Sequence, residues 1–278
     1  MPSNEVDAVD MLGNVLDVDD TPDNIHDDEP LIEIIKHCGP FLTLRDRSIY
    51  FVHPSARQFL LRNSFHHLFP SGIEHLHHII LSKSLQILSD RLRRDIYGLG
   101  NFGLSIDEVK KPDPDPLAAV RYSCVYWVDH LQASHHGRNT NSGLEDGGSV
   151  DTFLRQNYLH WLEALSLLES VADGLLAISK LEALVQGRTS RLAHLVRDAC
   201  RFMRYHRQVI ENSPLQIYTS AIVFSPSRNT ARNWFQNEEP EWITIKPIMA
   251  YDWSTCLQAL KVWVMAWVMA VLGLYVKD

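Results

Sequence analysis

Gly98-Leu99-Gly100-Asn101-Phe102-Gly103 carries the spacing G-x-G-x-x-G. In that pattern a glycine-rich turn brings backbone N–H groups against a pyrophosphate. The chemistry needs a strand before the glycines and a helix opening after them. Here a charged stretch read as helix (Arg91, Arg93, Arg94, Asp95) precedes them, and Lys110 to Pro116, with three prolines, follows soon after. The context predicts a helix-terminating loop and no dinucleotide cradle. A second cluster, His66, His67, His75, His77 and His78, falls within thirteen positions. Zinc wants three or four converging ligands, commonly with cysteine or carboxylate among them. His75 and His78 can share a helix face, but the nearest cysteine is Cys38 and no H-E-x-x-H pair occurs. Structural histidines are the expectation, and no metal is assigned. The sequence has no G-x-x-x-x-G-K-[ST] phosphate loop and no G-x-S-x-G elbow. Its carboxylate pairs read as solvated helix faces. The chain is therefore read as non-catalytic, with no cofactor.

Positioning elements come from composition and periodicity. At 278 residues, 45% hydrophobic and 22% charged, the chain can bury a sizeable core. The net charge of −8 is unevenly placed. Residues 1–35 hold eleven acids (Glu5, Asp7, Asp10, Asp17, Asp19, Asp20, Asp23, Asp27, Asp28, Glu29, Glu33) and no Lys or Arg. The remainder has 23 acids against 26 Lys and Arg, no basic excess of the kind that predicts a nucleic-acid partner. Residues 1–28 read as an acidic, disordered leader. Cys38, Cys124, Cys200 and Cys256 lie far apart, which predicts buried thiols in a reducing, cytoplasmic setting.

Residues 29–70 read as a small winged-helix-like element. Leu31, Ile34 and Ile35 form one helical face, stopped by Gly39-Pro40. Phe41–Leu44 and Ile49–Val52 form a hairpin around Arg45–Ser48, and Ser55 opens the next helix with Gln58 as its capping-box partner. From 71 to 260 nearly everything reads as helix. Leu81, Leu85, Leu88, Leu92 and Ile96 recur at steps of three or four, as do Leu117, Val120, Cys124, Val128 and Leu131. Leu154, Tyr158, Trp161, Leu165 and Leu168 do the same, then Leu192, Val196, Ala199, Met203, His206 and Ile210. Ser213-Pro214 opens a further helix that Ser225-Pro226 ends. The loop His135–Gly148 is the better candidate for a subdomain boundary. Residues 261–278 form an apolar tail. Its uncharged run Val262–Val276 would span about 22 Å as a helix, short of the roughly 30 Å hydrocarbon core. A buried or self-associating segment is preferred to a membrane anchor.

Five segments in order carry a resemblance: CGPFLTLRDRSIYFVHPSARQFLL (Cys38–Leu61), YWVDHL (Tyr126–Leu131), FLRQNYLHWLEALSLL (Phe153–Leu168), PLQIYTSAIVFSPS (Pro214–Ser227) and WSTCLQAL (Trp253–Leu260). Over about residues 29–260 the chain resembles fungal NACHT-type switch proteins of the STAND class, the heterokaryon-incompatibility-like receptors. The matching stretch is the one between the nucleotide-binding module and the WD-repeat propeller. The resemblance implies signalling in non-self recognition, by contact with unidentified protein partners. In such receptors the phosphate loop lies upstream and a propeller repeat follows Leu260. This chain shows neither NACHT nor WD-repeat module, so it reads as a regulatory or linker fragment, a natural truncation or a gene-model product. The resemblance also puts His53, in Phe51-Val52-His53, where related switches hold a histidine near the nucleotide's phosphate. His53 would sense nucleotide only beside a NACHT module. The alternative is an independent helical interaction module, associated with membrane through its tail.

Overall fold

The computed structural model describes residues 37–45, 48–63, 70–135, 143–238, 243 and 247–253. The leader, the helical face at Leu31–Ile35 and the tail from 261 onward lie outside these residues. So do His66 and His67.

Strand β1, Leu42–Arg45, pairs antiparallel with β2, Ser48–Phe51, in a register that sets Leu42 opposite Phe51 and Arg45 opposite Ser48. The hairpin stands within one residue of its expected bounds. Helix α1, Pro54–Asn63, follows. It opens one residue before Ser55, because proline in a first helical turn loses no hydrogen bond that the turn could have used. The Phe41 and Phe59 rings stack, 6.2 Å between centroids. Strand pair and following helix stand where the sequence places them; the helix expected before them falls outside the described residues.

The body consists of α2 (Ile73–Arg91), α3 (Arg121–Ser134), α4 (Ser149–Leu167), α5 (Val171–Leu184) and α6 (Arg191–Asn212). A 3-10 turn at Pro214–Tyr218, the short helices α7 (Ser220–Val223) and α8 (Thr230–Trp234), and a 3-10 turn at Gln236–Glu238 complete it. The protein is mainly α, and among the described residues the two-stranded sheet is the only one.

Helix α4 is the axis of the body. Its second half, Asn157 to Leu167, is buried on nearly every side, while Ser149, Thr152 and Gln156 of its first half are exposed, and it packs against α2, α3, α5 and α6. Trp127 and Trp161 are fully buried and meet edge to face, centroids 5.7 Å apart. Each stripe read from the sequence is buried. The Trp161 indole N–H donates to the Cys124 carbonyl at 2.8 Å, and the Tyr158 hydroxyl to the Ala199 carbonyl at 2.7 Å. Gly174 is required where α5 crosses: a Cβ there would stand 2.2 Å from Leu165 Cδ1 and 2.9 Å from Met203 Cε.

The differences from expectation lie at helix ends and after α6, where the one helix read between Ser213 and Ser225 is instead a 3-10 turn followed by the four-residue α7. Helix α2 stops at Arg91, so Leu92 and Ile96 reach the core from the loop beyond it. Leu117 likewise enters from a loop before α3. Nor does the core divide at His135–Gly148, since one hydrophobic cluster runs from Leu81 to Phe235 and takes Leu144 from within that loop. Cys124 and Cys200 are free and buried, as expected, whereas Cys38 is only half-buried and Cys256 lies outside the described residues; burial pushes the Cys200 thiol up to about 12.

Candidate functional site

The glycine-rich segment is a loop without a strand before it. Asp95 leaves α2 in the left-handed region at φ 51°, and its carboxylate accepts the Leu99 N–H at 2.6 Å and the Gly100 N–H at 2.9 Å. Gly98 and Gly100 have positive φ, 65° and 66°. Two amides that a phosphate would need are thus already spent on a side chain of the same loop. Gly103 donates to Asn101 Oδ1 at 2.9 Å. The helix read through Asp95 in fact ends at Arg91, capped at Leu92, so the glycines lie in the loop beyond it and do not themselves terminate it.

Sequence reasoning missed the carboxylate that anchors this loop. Glu163, in the buried second half of α4, has no exposed surface. Its two oxygens accept the Asp95 and Ile96 N–H groups, each at 2.9 Å, and the Tyr218 hydroxyl at 2.6 Å. Burial raises its pKa, while Tyr218 and the two amides pull against that rise. The Arg94 guanidinium lies 5.1 Å over the Tyr218 ring and 5.4 Å over Phe102, and donates to Glu238 at 3.3 Å. The His160 imidazole, at 3.7 Å, and then Arg94 hold the Glu238 carboxyl below its ordinary range. One network therefore ties the exit of α2, the middle of α4, the turn after α6 and the turn at Gln236–Glu238. The one available signal was position, because Glu163 is the one acid within the mostly apolar run Tyr158–Leu168.

The histidines are likewise built into packing. His77 is buried, and its Nδ1 lies 2.8 Å from Nδ1 of His130, whose Nε2 in turn lies 2.6 Å from the Tyr122 hydroxyl. Burial first, then the nearby His77, pushes His130 down to about 4. His75 and His78 are exposed on α2, on other faces. No group of three or more potential metal ligands converges among the described residues. His206, pushed down to about 3 by burial, bonds Ser225 through Nε2 at 3.0 Å. The Ser225 hydroxyl donates to the Ala221 carbonyl at 2.7 Å and is fully buried, so the pair is a strut and not a nucleophile with its base.

His53 is exposed at the start of α1. Its Nδ1 accepts the Ser55 N–H at 3.1 Å and lies 2.8 Å from the Ser55 hydroxyl. It is the acceptor that caps α1, a place the sequence assigned to Ser55.

These features define a mainly α domain, opened by a small hairpin and helix, whose buried polar groups brace its own loops. In an alignment of 271 residues that covers 91% of this chain, it is 44% identical to the vegetative incompatibility protein HET-E-1 of Podospora anserina. That match shows the resemblance read from the five segments: the chain is like a piece of a fungal incompatibility protein of the NACHT, WD-repeat kind. It spans 20% of the length of HET-E-1. No family model matches the chain, and no solved structure does.

Proposed function

We propose that this chain is the regulatory linker of a NACHT-type STAND signalling protein in non-self recognition, standing between the nucleotide-binding module and the WD-repeat propeller. It acts in the cytoplasm through contacts with protein and performs no chemistry of its own. The observation that carries this reading is the 44% identity, which covers nine tenths of the chain but one fifth of HET-E-1. Supporting it, the buried carboxylate and imidazoles are engaged in bracing loops and helices. Residues 29–70 would be the winged-helix part, 71–260 the relay, and 261–278 the passage toward a propeller. His53 would face nucleotide only when a NACHT module stands before it.

Full-length transcript sequencing tests the reading. Transcripts that join this chain to a nucleotide-binding module upstream and to propeller repeats downstream support it. Transcripts that encode this chain alone overturn it in favour of an independent helical interaction module. Titration of the purified chain with ATP or GTP is expected to show no binding in the micromolar range; stoichiometric binding there would overturn the non-catalytic part.

A further inference from the structure

Helix α6 has two unlike sides. Leu192, Val196, Ala199, Met203 and Ile210 are buried in the core. Opposite them Arg191, His194, Arg197, Arg201, Arg204 and Arg207 are all exposed, at steps of three and four, so they form one line about 24 Å long. Part of this charge is met locally. Arg191 approaches Asp146 at 3.6 Å, Arg204 bonds Glu182 at 3.1 Å, and Arg207 bonds Glu211 at 2.7 Å.

The middle of the line is different. Arg197 donates to the backbone carbonyls of Ala193 at 3.0 Å and Arg188 at 3.5 Å. Among the described residues neither Arg197 nor Arg201 meets a carboxylate. The acid nearest them in sequence, Asp198, is committed elsewhere: it accepts the Thr230 N–H and, at 2.7 Å, the Trp253 indole N–H. A row of guanidiniums with an uncompensated centre suits a run of closely spaced carboxylates, which can meet several of them at once.

The same chain holds such a run. Residues 1–35 have eleven acids and no Lys or Arg, while the rest of the sequence is close to balance. We propose that the acidic N-terminal segment, the leader together with residues 29–35, docks in cis along the arginine face of α6 and masks it from other acidic partners. Each exposed pair contributes little by itself, but attachment in one chain gives an effective concentration in the millimolar range, so several weak pairs suffice. The contact is electrostatic, and salt weakens it as the screening length shrinks.

Limited digestion of the full chain by subtilisin, with mass readout of leader fragments, tests this. At an ionic strength of about 0.03 M the leader should be cut at least about tenfold more slowly than in the Arg197→Glu, Arg201→Glu double variant. At about 0.5 M the difference should vanish. A synthetic peptide of residues 1–35 supplies the unprotected rate at each salt concentration. Both arginines are exposed, and circular dichroism checks that the double variant keeps its helices. As a second route that leaves the body untouched, Asp17→Asn, Asp19→Asn, Asp20→Asn and Asp23→Asn together should also abolish protection. Equal cutting of the wild-type chain and the double variant at low salt overturns the proposal. It is also overturned if the wild-type leader is cut as fast as the free peptide while α6 retains the chain on heparin, because the face then serves an external polyanion.

Discussion

Two regions of this chain are built from similar apolar fractions and reach opposite degrees of burial. Around α4, Trp127 and Trp161 have no exposed surface and every core stripe is closed. In the hairpin and α1, Tyr50, Val52 and Phe59 are each about half exposed, at 51%, 54% and 51%. Two strands of four residues and one short helix cannot enclose a side chain on all sides, whereas five long helices can. Burial here is a property of how many elements meet, and only secondarily of which residues they carry.

Paired truncations sharpen that contrast most. Trp161→Ala removes a side chain that fills the α3–α4 junction and caps the Cys124 carbonyl, and should cost about 3–5 kcal/mol in urea unfolding. Phe59→Ala removes a ring half open to solvent and should cost less than about 1 kcal/mol. Comparable losses from the two would mean that the hairpin region is braced as firmly as the body.

The comparison also explains what the sequence made legible. Long helices repeat their apolar face often enough to be read, so the stripes through Leu85, Val128, Trp161 and Met203 located the core correctly. Helix ends were less legible. Leu92, Ile96 and Leu117 keep helical spacing but lie beyond the helices, because a loop crossing the core can hold the same period for one turn. The Glu163 network was illegible, since its partners are backbone N–H groups and a tyrosine 55 residues away. His53 was singled out from resemblance, yet its capping bond to Ser55 depends on the helix opening at Pro54, and boundaries are the least periodic feature of a sequence.

Acid should act on the body before the hairpin. His130 and His206 are held neutral, at about 4 and about 3, against an unfolded value near 6.5. The unfolded chain binds more protons between those limits, so stability falls as pH drops below about 6.5 and continues to fall toward 4. At pH 5 each histidine accounts for roughly 2 kcal/mol of the loss. Glu163 works in the opposite sense, because with a raised folded pKa the folded state takes up this proton first, and stability rises as pH falls from the raised value to the ordinary carboxyl range. A denaturation midpoint that is flat from pH 7 to 5 would show the two imidazoles to be solvated.

Glu163→Gln keeps the shape of the side chain and replaces one acceptor by an amide that can only donate. One of the donors at Asp95, Ile96 or Tyr218 is then left facing another donor, a loss of about 2–3 kcal/mol. Hydrogen exchange at the Asp95 and Ile96 amides should quicken with it, while Ser55 is unaffected. The variant should also steepen the decline in acid, since it removes a group that opposes the histidines. Unchanged exchange at both amides would mean that the loop after α2 is held by packing alone.

The smallest effect is at His53. His53→Ala removes the acceptor of the Ser55 N–H from an exposed helix start, a loss of about 0.5–1 kcal/mol confined to α1. His53→Asn supplies another good capping oxygen and should restore most of it. Exchange at the Ser55 amide should therefore rise two- to fivefold in the alanine variant and return near the original rate with asparagine. The urea midpoint of the body should move by less than about 0.5 kcal/mol in either case. The pair also separates two roles for the histidine: asparagine can cap a helix but cannot carry the positive charge that a phosphate sensor would use. If His53→Ala instead lowers the stability of the whole chain by as much as a core truncation, hairpin and body unfold as one unit. The contrast between the two regions would then be one of exposure and not of stability.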